Sequence, residues 1–221
     1  MRDRDCRRAA RGPPDQREEI IVGTPLLDQL RQVGALKDGH FLLSSGRHGD
    51  RYIEKFDLLR QPAATSSVCM DIVARVQNWS IDVVVGPTTG GIILAFEVAR
   101  QLSVAAAYAE RRDDGAEGRE FRRNTTFDPG SRVLVVDDIL TTGGSVRETL
   151  QALTLVPVEV VGVAVLVDRS GGRVEFDVPL IAVASLEIET WEATECPLCR
   201  QGVPLVKPGT AVPRSVDGVG H

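Results

Sequence analysis

Residues 132–145 of this 221-residue chain read RVLVVDDILTTGGS. The apolar run at 133–136 is typical of a strand that is buried on both faces, and a helical period begins after Ser145. Between the strand and the helix lie two adjacent carboxylates, Asp137 and Asp138, and a turn rich in hydroxyls and glycine. This order predicts a βα unit with a polar site at the end of its strand.

The turn that follows the acidic pair is suited to binding a phosphate. Its residues are Thr141, Thr142, Gly143, Gly144 and Ser145. Glycines let the backbone approach a ligand closely, and the next helix begins with unpaired N–H groups and the positive end of its dipole. The carboxylates suit sugar hydroxyls, or a magnesium ion that bridges to the phosphate. We therefore predict a sugar-phosphate ligand; the alternative is an ordinary βα turn with a solvated acidic pair.

A second unit of the same kind lies upstream. A buried strand is predicted at 81–85 and a helix at 92–102, which indicates parallel strands with crossover helices. The start of that helix could receive a second anionic group, although the turn by itself is equally consistent with simple packing. The polar and glycine positions of the turn are Thr88, Thr89, Gly90 and Gly91.

Composition limits the classes of protein that fit. The length suits one α/β domain, and 43% hydrophobic residues are enough for a core. A net charge of −5 argues against a general nucleic-acid binder. No apolar run approaches the roughly 20 residues that span a membrane, and no signal peptide is evident, so we expect a cytoplasmic protein.

The chain ends and the cysteines give weaker signals. Residues 1–20 are predicted to be a disordered extension, with an RNA- or partner-binding arm as the alternative. Residues 21–206 are assigned to the domain and residues 207–221 to a flexible tail. Cys196 and Cys199 have the spacing of metal ligands, but no second cysteine pair lies nearby in the sequence. A buried thiol pair or a chance pairing is therefore favoured over a structural metal.

The turn at 141–145 resembles the ribose-phosphate loop of the type I phosphoribosyltransferases, which bind phosphoribosyl pyrophosphate (PRPP). The resemblance implies a doubly wound parallel sheet, with Asp137 and Asp138 on the ribose hydroxyls and the turn at 88–91 on the pyrophosphate. It also implies a homodimer, and Mg²⁺ held mainly through PRPP with no residue assigned as a direct ligand. Residues 110–123 match the flexible catalytic loop of this family.

Two further segments resemble the orotate phosphoribosyltransferases of that family. Residues 41–47, FLLSSGR, match the start of the hood that covers the base, which would be built from about 24–60 and 188–206. The segment DRSGGR at 168–173 places Arg169 where the family pairs an arginine with the carboxylate of orotate. Thr141 and Lys55 are predicted as further orotate contacts.

The chain departs from the family in its cations. Lysines occur only at 37, 55 and 207, so the lysines usual at the positions of Ser44 and Gly90 and in the catalytic loop are absent. The loop has no histidine either. Arg111 and Arg112 are predicted to act there as catalytic residues, because arginine can clamp pyrophosphate bidentately.

The resemblance implies a transfer of the phosphoribosyl group from PRPP to orotate, which gives orotidine 5′-monophosphate and pyrophosphate in pyrimidine biosynthesis. Two alternatives remain. One is a phosphoribosyltransferase for another base, which the lost lysines favour. The other is a PRPP-sensing regulator that binds RNA and has no catalytic activity.

Overall fold

The structure of the chain is a computed structural model that describes residues 25–43 and 45–208. The predicted extension at 1–20, Ser44 and all of the predicted tail beyond residue 208 lie outside the described residues. Within the described ranges, no helix is both long enough and apolar enough to cross a membrane.

The described residues form helices and strands in the following order: α1 Pro25–Gln32, β1 Leu36–Leu42, β2 His48–Ile53, α2 Lys55–Leu59, α3 Pro62–Val76, β3 Val83–Pro87, α4 Gly90–Leu102, β4 Ala105–Arg111, β5 Arg119–Glu120, β6 Ser131–Leu140, α5 Gly144–Leu153, β7 Val158–Asp168, β8 Leu180–Ser185, β9 Thr190–Trp191 and α6 Pro197–Arg200.

The main sheet has six strands in the order β5-β4-β3-β6-β7-β8. Every pair in it is parallel except β4 with β5. From β3 the chain adds β4 on one side and then returns to add β6 on the other, so the strand order reverses between β3 and β6. The predicted doubly wound parallel sheet is confirmed.

The apolar run on β6 separates two cores, one on each face of the sheet. Leu134 and Val136 pack in the core that contains α3 and α4. Val133 and Val135 pack in the other, together with Val146 of α5. Successive side chains of a strand point to opposite faces, so a strand covered on both sides needs this unbroken apolar run.

A smaller sheet joins the two ends of the described chain. It has three antiparallel strands in the order β1-β2-β9. Beyond it, Val206 forms a bridge with Phe41, and the Leu42 N–H donates to the Val206 carbonyl at 2.9 Å. This sheet has the composition expected for the predicted hood, since it combines N-terminal and C-terminal segments.

The segment predicted as a flexible catalytic loop is partly regular. Strand β4 continues to Arg111, and β5 pairs with it so that Arg111 lies opposite Arg119 and Glu110 opposite Glu120. Helix α3 begins at Pro62, and proline is well suited to the first turn of a helix.

Candidate active site

The two glycine-containing turns lie side by side at the point where the strand order reverses. Strands β3 and β6 are adjacent and parallel, so the turn at 88–91 and the turn at 141–145 both leave the same edge of the sheet. In open α/β sheets the crevice at this position is where ligands bind. The topology thus brings together the two turns that the sequence predicted separately.

The acidic pair is buried at this edge. Asp137 and Asp138 are only 6% and 4% exposed. Ser145 Oγ donates to Asp137 Oδ2 at 2.6 Å, and the Asp138 N–H donates to Asp137 Oδ1 at 2.9 Å. Burial, and then the charge of Asp138, raise the pKa of Asp137 to about 6. A cation or a set of hydroxyl donors arriving here would favour the ionised form.

Lys55 supplies the positive charge beside this pair. The Lys55 Nζ lies 2.9 Å from Asp138 Oδ2 and 3.1 Å from Oδ1. Lys55 opens α2, directly after the hood hairpin, so the hood delivers a cation to a strand 83 residues further along the chain. The predicted contact of Lys55 with orotate stays a prediction, since the side chain is paired with Asp138 here.

The predicted phosphate turn has the backbone that the sequence required. Gly143 is the N-cap of α5 with φ 78° and ψ 8°, a left-handed conformation that glycine adopts readily. A Cβ there would lie 2.8 Å from Val174 Cγ1. No side chain caps α5, and Thr141, Thr142 and Gly144 are exposed. The first N–H groups of α5 therefore face a space that an anion can enter.

The turn after β3 is packed so closely that its glycines are needed. A Cβ on Gly90 would lie 1.8 Å from Asp138 Oδ2, and one on Gly91 would lie 2.6 Å from Pro87 Cδ. The absence of a side chain at Gly90 therefore leaves room for the Asp138 carboxylate. A lysine at this position would displace that carboxylate. The Thr88–Thr89 peptide is cis, and the Thr88 N–H donates to the Ala109 carbonyl at 3.0 Å.

Arg119 holds this turn, and sequence reasoning missed it. Its side chain is 3% exposed. The guanidinium donates to Thr88 Oγ1 at 2.9 Å and to the Ala109 carbonyl at 3.1 Å, and its Nε lies 3.2 Å from Glu148 Oε2. The sequence showed only a charged segment there. The β5 pairing, which turns Arg119 inward, had no signal in the sequence.

The two arginines predicted as catalytic lie on the outer side of the same hairpin. Arg111 is exposed at the end of β4. Arg112 is also exposed and forms an ion pair with Asp114, which raises the pKa of Arg112. Arg122, further along, pairs with Asp113 and Glu120. Arg112 would have to leave Asp114 in order to reach a bound pyrophosphate.

Arg169 follows β7 and has an unusual environment for a cation. Its N–H donates to the Leu140 carbonyl at 2.8 Å, which places it beside the end of β6. Its Nε is buried and has no hydrogen-bond partner within the described part of the chain. Burial lowers the pKa of Arg169. The residue as a whole is half-buried, and a guanidinium partly withdrawn from water without an anion is unfavourable, so an anionic ligand would suit this position.

Tyr52 is a second residue that the sequence did not single out. It lies on β2 of the hood, close enough to Arg169 and Lys55 for their charges to oppose the rise in the pKa of Tyr52 that burial and Glu54 cause. The hood thus places an aromatic residue near Arg169 at the end of β7. A planar base with an acidic group would find a stacking surface and a cation at this point.

Comparison with known proteins identifies the class of protein. The family described as "Phosphoribosyl transferase domain" matches residues 63–198. The chain is 43% identical over 185 residues to an orotate phosphoribosyltransferase of Caldanaerobacter subterraneus subsp. tengcongensis, covering 84% of this chain and 96% of that protein. The chain therefore belongs to the phosphoribosyltransferase family, and to the orotate phosphoribosyltransferases within it.

Further relatives agree with this assignment. An orotate phosphoribosyltransferase of Caldicellulosiruptor bescii is 45% identical, over 83% of this chain and 95% of that protein. The crystal structure of orotate phosphoribosyltransferase from Aeropyrum pernix matches with a TM-score of 0.64 and 31% identity, covering 73% of this chain and 93% of that one. The resemblance that the sequence motifs predicted is confirmed.

Proposed function

We propose that this chain transfers the phosphoribosyl group of PRPP to orotate, which yields orotidine 5′-monophosphate and pyrophosphate in pyrimidine biosynthesis. The observation that carries the proposal is Arg169, whose buried guanidinium nitrogen has no partner among the described residues. It lies beside a site suited to a sugar phosphate. The carboxylate of orotate would form a bidentate, charge-assisted pair with it.

PRPP would bind across the two turns at the strand-order reversal. Asp137 and Asp138 would accept hydrogen bonds from the ribose hydroxyls. The residues proposed to hold the 5′-phosphate are Thr141, Thr142, Gly143, Gly144 and Ser145, and those proposed to hold the pyrophosphate are Thr88, Thr89, Gly90 and Gly91. Thr141 and Lys55 remain proposed contacts to orotate at the boundary between base and ribose.

The reaction breaks the bond between the anomeric carbon and pyrophosphate and forms a bond from that carbon to orotate N1. Positive charge develops on the ribose and negative charge on the departing pyrophosphate. The buried carboxylates of Asp137 and Asp138 would stabilise the first. Arg111 and Arg112 would stabilise the negative charge on pyrophosphate once the loop moved and Arg112 left Asp114.

Mg²⁺ is part of the proposal as an ion that arrives with the substrate. The described carboxylate oxygens here already have partners, since Asp137 accepts from Ser145 and Asp138 is paired with Lys55. Mg²⁺ commonly takes one or two carboxylates together with substrate phosphates, and this donor set fits that pattern. When bound, the ion would neutralise charge on the pyrophosphate.

A homodimer is proposed as the working state. An apolar groove between α3 and α4 is lined by Pro62, Ile92, Ile93 and Phe96, and Phe96 is 64% exposed. A second copy of the chain would cover this surface, and sedimentation of the purified protein would measure the assembly. The cytoplasmic location stays a prediction from the sequence.

The first test measures the loss of orotate by absorbance with purified protein, PRPP and Mg²⁺. We expect Arg169→Gln to raise the KM for orotate about 100-fold or more, because a charge-assisted pair is lost in a buried site. PRPP binding should change little. The matched control is Arg31→Gln on α1, whose guanidinium is exposed and pairs with Asp28.

Two outcomes would overturn the proposal. Turnover of another base in a panel, without orotate turnover, would assign a different phosphoribosyltransferase activity. Salt-dependent retention of RNA with PRPP binding but no turnover would assign the regulator instead.

A further inference from the structure

Four side chains with metal-binding atoms converge in the hood. They are His40 on β1, His48 on β2, and Cys196 and Cys199 at the start of α6. Their ligand atoms all lie within 4.8 Å of one another. None of them belongs to the proposed PRPP or orotate site. The sequence showed the cysteine pair but not the histidines, which lie about 150 residues earlier in the chain.

The distances match the edges of a tetrahedral site. With Zn–N of about 2.0 Å and Zn–S of about 2.3 Å, ligand atoms would be about 3.3 to 3.8 Å apart. His40 Nε2 lies 3.4 Å from Cys196 Sγ and 3.7 Å from Cys199 Sγ, and His48 Nδ1 lies 3.3 Å from Cys199 Sγ. The two ring nitrogens are 2.9 Å apart. Of these four edges, only the last would need to lengthen, by about 0.4 Å.

The orientation of His40 is fixed by a second contact. Its Nδ1 lies 2.8 Å from the Val203 carbonyl, and since a carbonyl accepts, Nδ1 carries the hydrogen. The lone pair of Nε2 is thereby directed at His48 and at both sulfur atoms. Metal-bound histidines commonly have this arrangement, in which the second ring nitrogen donates to a carbonyl or carboxylate.

The backbone is shaped to bring His40 inward. The pairing of β1 with β2 shifts register between Asp38 and Phe41, and His40 and Phe41 are both buried although they are consecutive. Regular alternation would have turned one of them outward. A β-bulge can re-aim a side chain in this way, so the local irregularity serves the cluster.

The cluster also lies beside a short backbone pairing in the hood. Strand β9 pairs with β2 through only two residue pairs, His48 with Trp191 and Gly49 with Thr190. His40, His48 and Cys196 are 2%, 5% and 0% exposed, whereas Cys199 is open to solvent. A metal could enter on the Cys199 side and would fasten the C-terminal segment to the β1–β2 hairpin.

We propose that His40, His48, Cys196 and Cys199 form a structural Zn²⁺ site that joins the two chain ends in the hood. The two sulfurs bind as thiolates, so their protons are released when the ion binds. All four positions are filled by protein atoms, as in structural zinc sites, and no coordination position is left for a substrate.

The test is the metal content of the tag-free, full-length protein. We expect one Zn²⁺ per chain by elemental analysis, and Co²⁺ in its place should give the visible absorption of a tetrahedral thiolate site. Cys196→Ser and Cys199→Ala should each abolish the bound metal. Cys69→Ala is the matched control, because it removes a buried thiol from α3, outside the cluster, and should leave one Zn²⁺ per chain.

Other outcomes would overturn the proposal. A disulfide between Cys196 and Cys199, detected as a mass lower by two hydrogens in the metal-exposed protein, would make the cluster a thiol–disulfide pair. Equal metal in wild type and in both cysteine variants would show non-specific binding. If Cys196→Ser does not fold, Cys199→Ala, which removes an exposed thiol, still tests the proposal. Chelation should lower the Tm of the wild type and leave that of Cys199→Ala unchanged.

Discussion

The phosphate-binding edge and the hood of this molecule are built in different ways. At the edge, the acidic pair and the phosphate turn are one stretch of nine residues, 137–145, carried by a strand with fully buried valines and leucine at 133–136. In the hood, residues from β1 and β2 meet residues from the last part of the described chain. The edge is made largely by one continuous segment, whereas the hood depends on contacts between segments about 150 residues apart in the sequence.

This difference suggests which part of the molecule binds each of the two substrates, PRPP and orotate. The rigid edge would bind the invariant part, a sugar phosphate, through backbone N–H groups and glycines with no spare room. The hood, which places Tyr52 near Arg169, would bind the base. Changes at the edge should therefore affect PRPP, and changes in the hood should affect orotate.

The largest expected effect is at Asp137. Asp137→Asn should lower kcat/KM about 100-fold or more, since a charged acceptor for the ribose is lost. The same variant should be more stable than the wild type by about 1 to 3 kcal/mol near pH 7, because the burial that raises the pKa of Asp137 opposes its ionisation. Orotate assays and denaturant unfolding measure the two effects.

The stability difference between Asp137→Asn and the wild type should depend on pH in a defined direction. A carboxyl whose pKa is raised by folding contributes its full stability below the unfolded pKa and loses it as the pH rises through about 6. The stability advantage of Asp137→Asn should therefore vanish near pH 4. Asp128→Asn, an exposed carboxylate before β6, is the control. An advantage independent of pH would contradict this account.

A smaller loss is expected at Gly90. Gly90→Ala puts a Cβ where Asp138 Oδ2 now lies, at 1.8 Å, so the carboxylate must move. We expect kcat/KM to fall about 10- to 100-fold, in line with the cost of displacing a positioned group. Calorimetry should show weaker PRPP binding as well.

Gly49→Ala is the hood counterpart of Gly90→Ala. The added Cβ would lie 3.2 Å from the flexible end of Leu43 and 3.4 Å from Ile188 Cγ2, which can give way. PRPP affinity should therefore stay at the wild-type value. If both variants lost PRPP affinity equally, the distinction between edge and hood would be wrong.

The smallest change in the KM for orotate is expected at Arg47, in the hood. Its guanidinium donates to the Thr190 carbonyl at 2.8 Å and to Thr190 Oγ1 at 3.1 Å, and it pairs with Glu192. Arg47→Ala should raise the KM for orotate only about two- to fivefold, since exposed ion pairs contribute little. A larger effect on PRPP than on orotate would argue that Arg47 acts outside the hood. Arg60→Ala, which removes another exposed ion pair, is the control.

Local sequence was sufficient wherever a site was made by neighbouring residues. The order of apolar run, carboxylates, glycine turn and helix at 133–153 predicted β6, the turn and α5, because strand burial and helix starts are short-range properties. Parallel strands with crossover helices followed from the same patterns, whereas the doubly wound order was implied by the family resemblance. Arg169 was assigned by the resemblance of DRSGGR at 168–173 to the family.

Contacts between distant segments could not be read from the sequence. Arg119 turns inward only because β5 pairs with β4, and Lys55 reaches Asp138 only because the tertiary fold brings the start of α2 to the end of β6. The sequence also argued against a metal at Cys196 and Cys199, since it showed no second cysteine pair. The missing partners are histidines on β1 and β2, and tertiary structure alone brings them within 4.8 Å, because the pairing of distant strands depends on the whole fold.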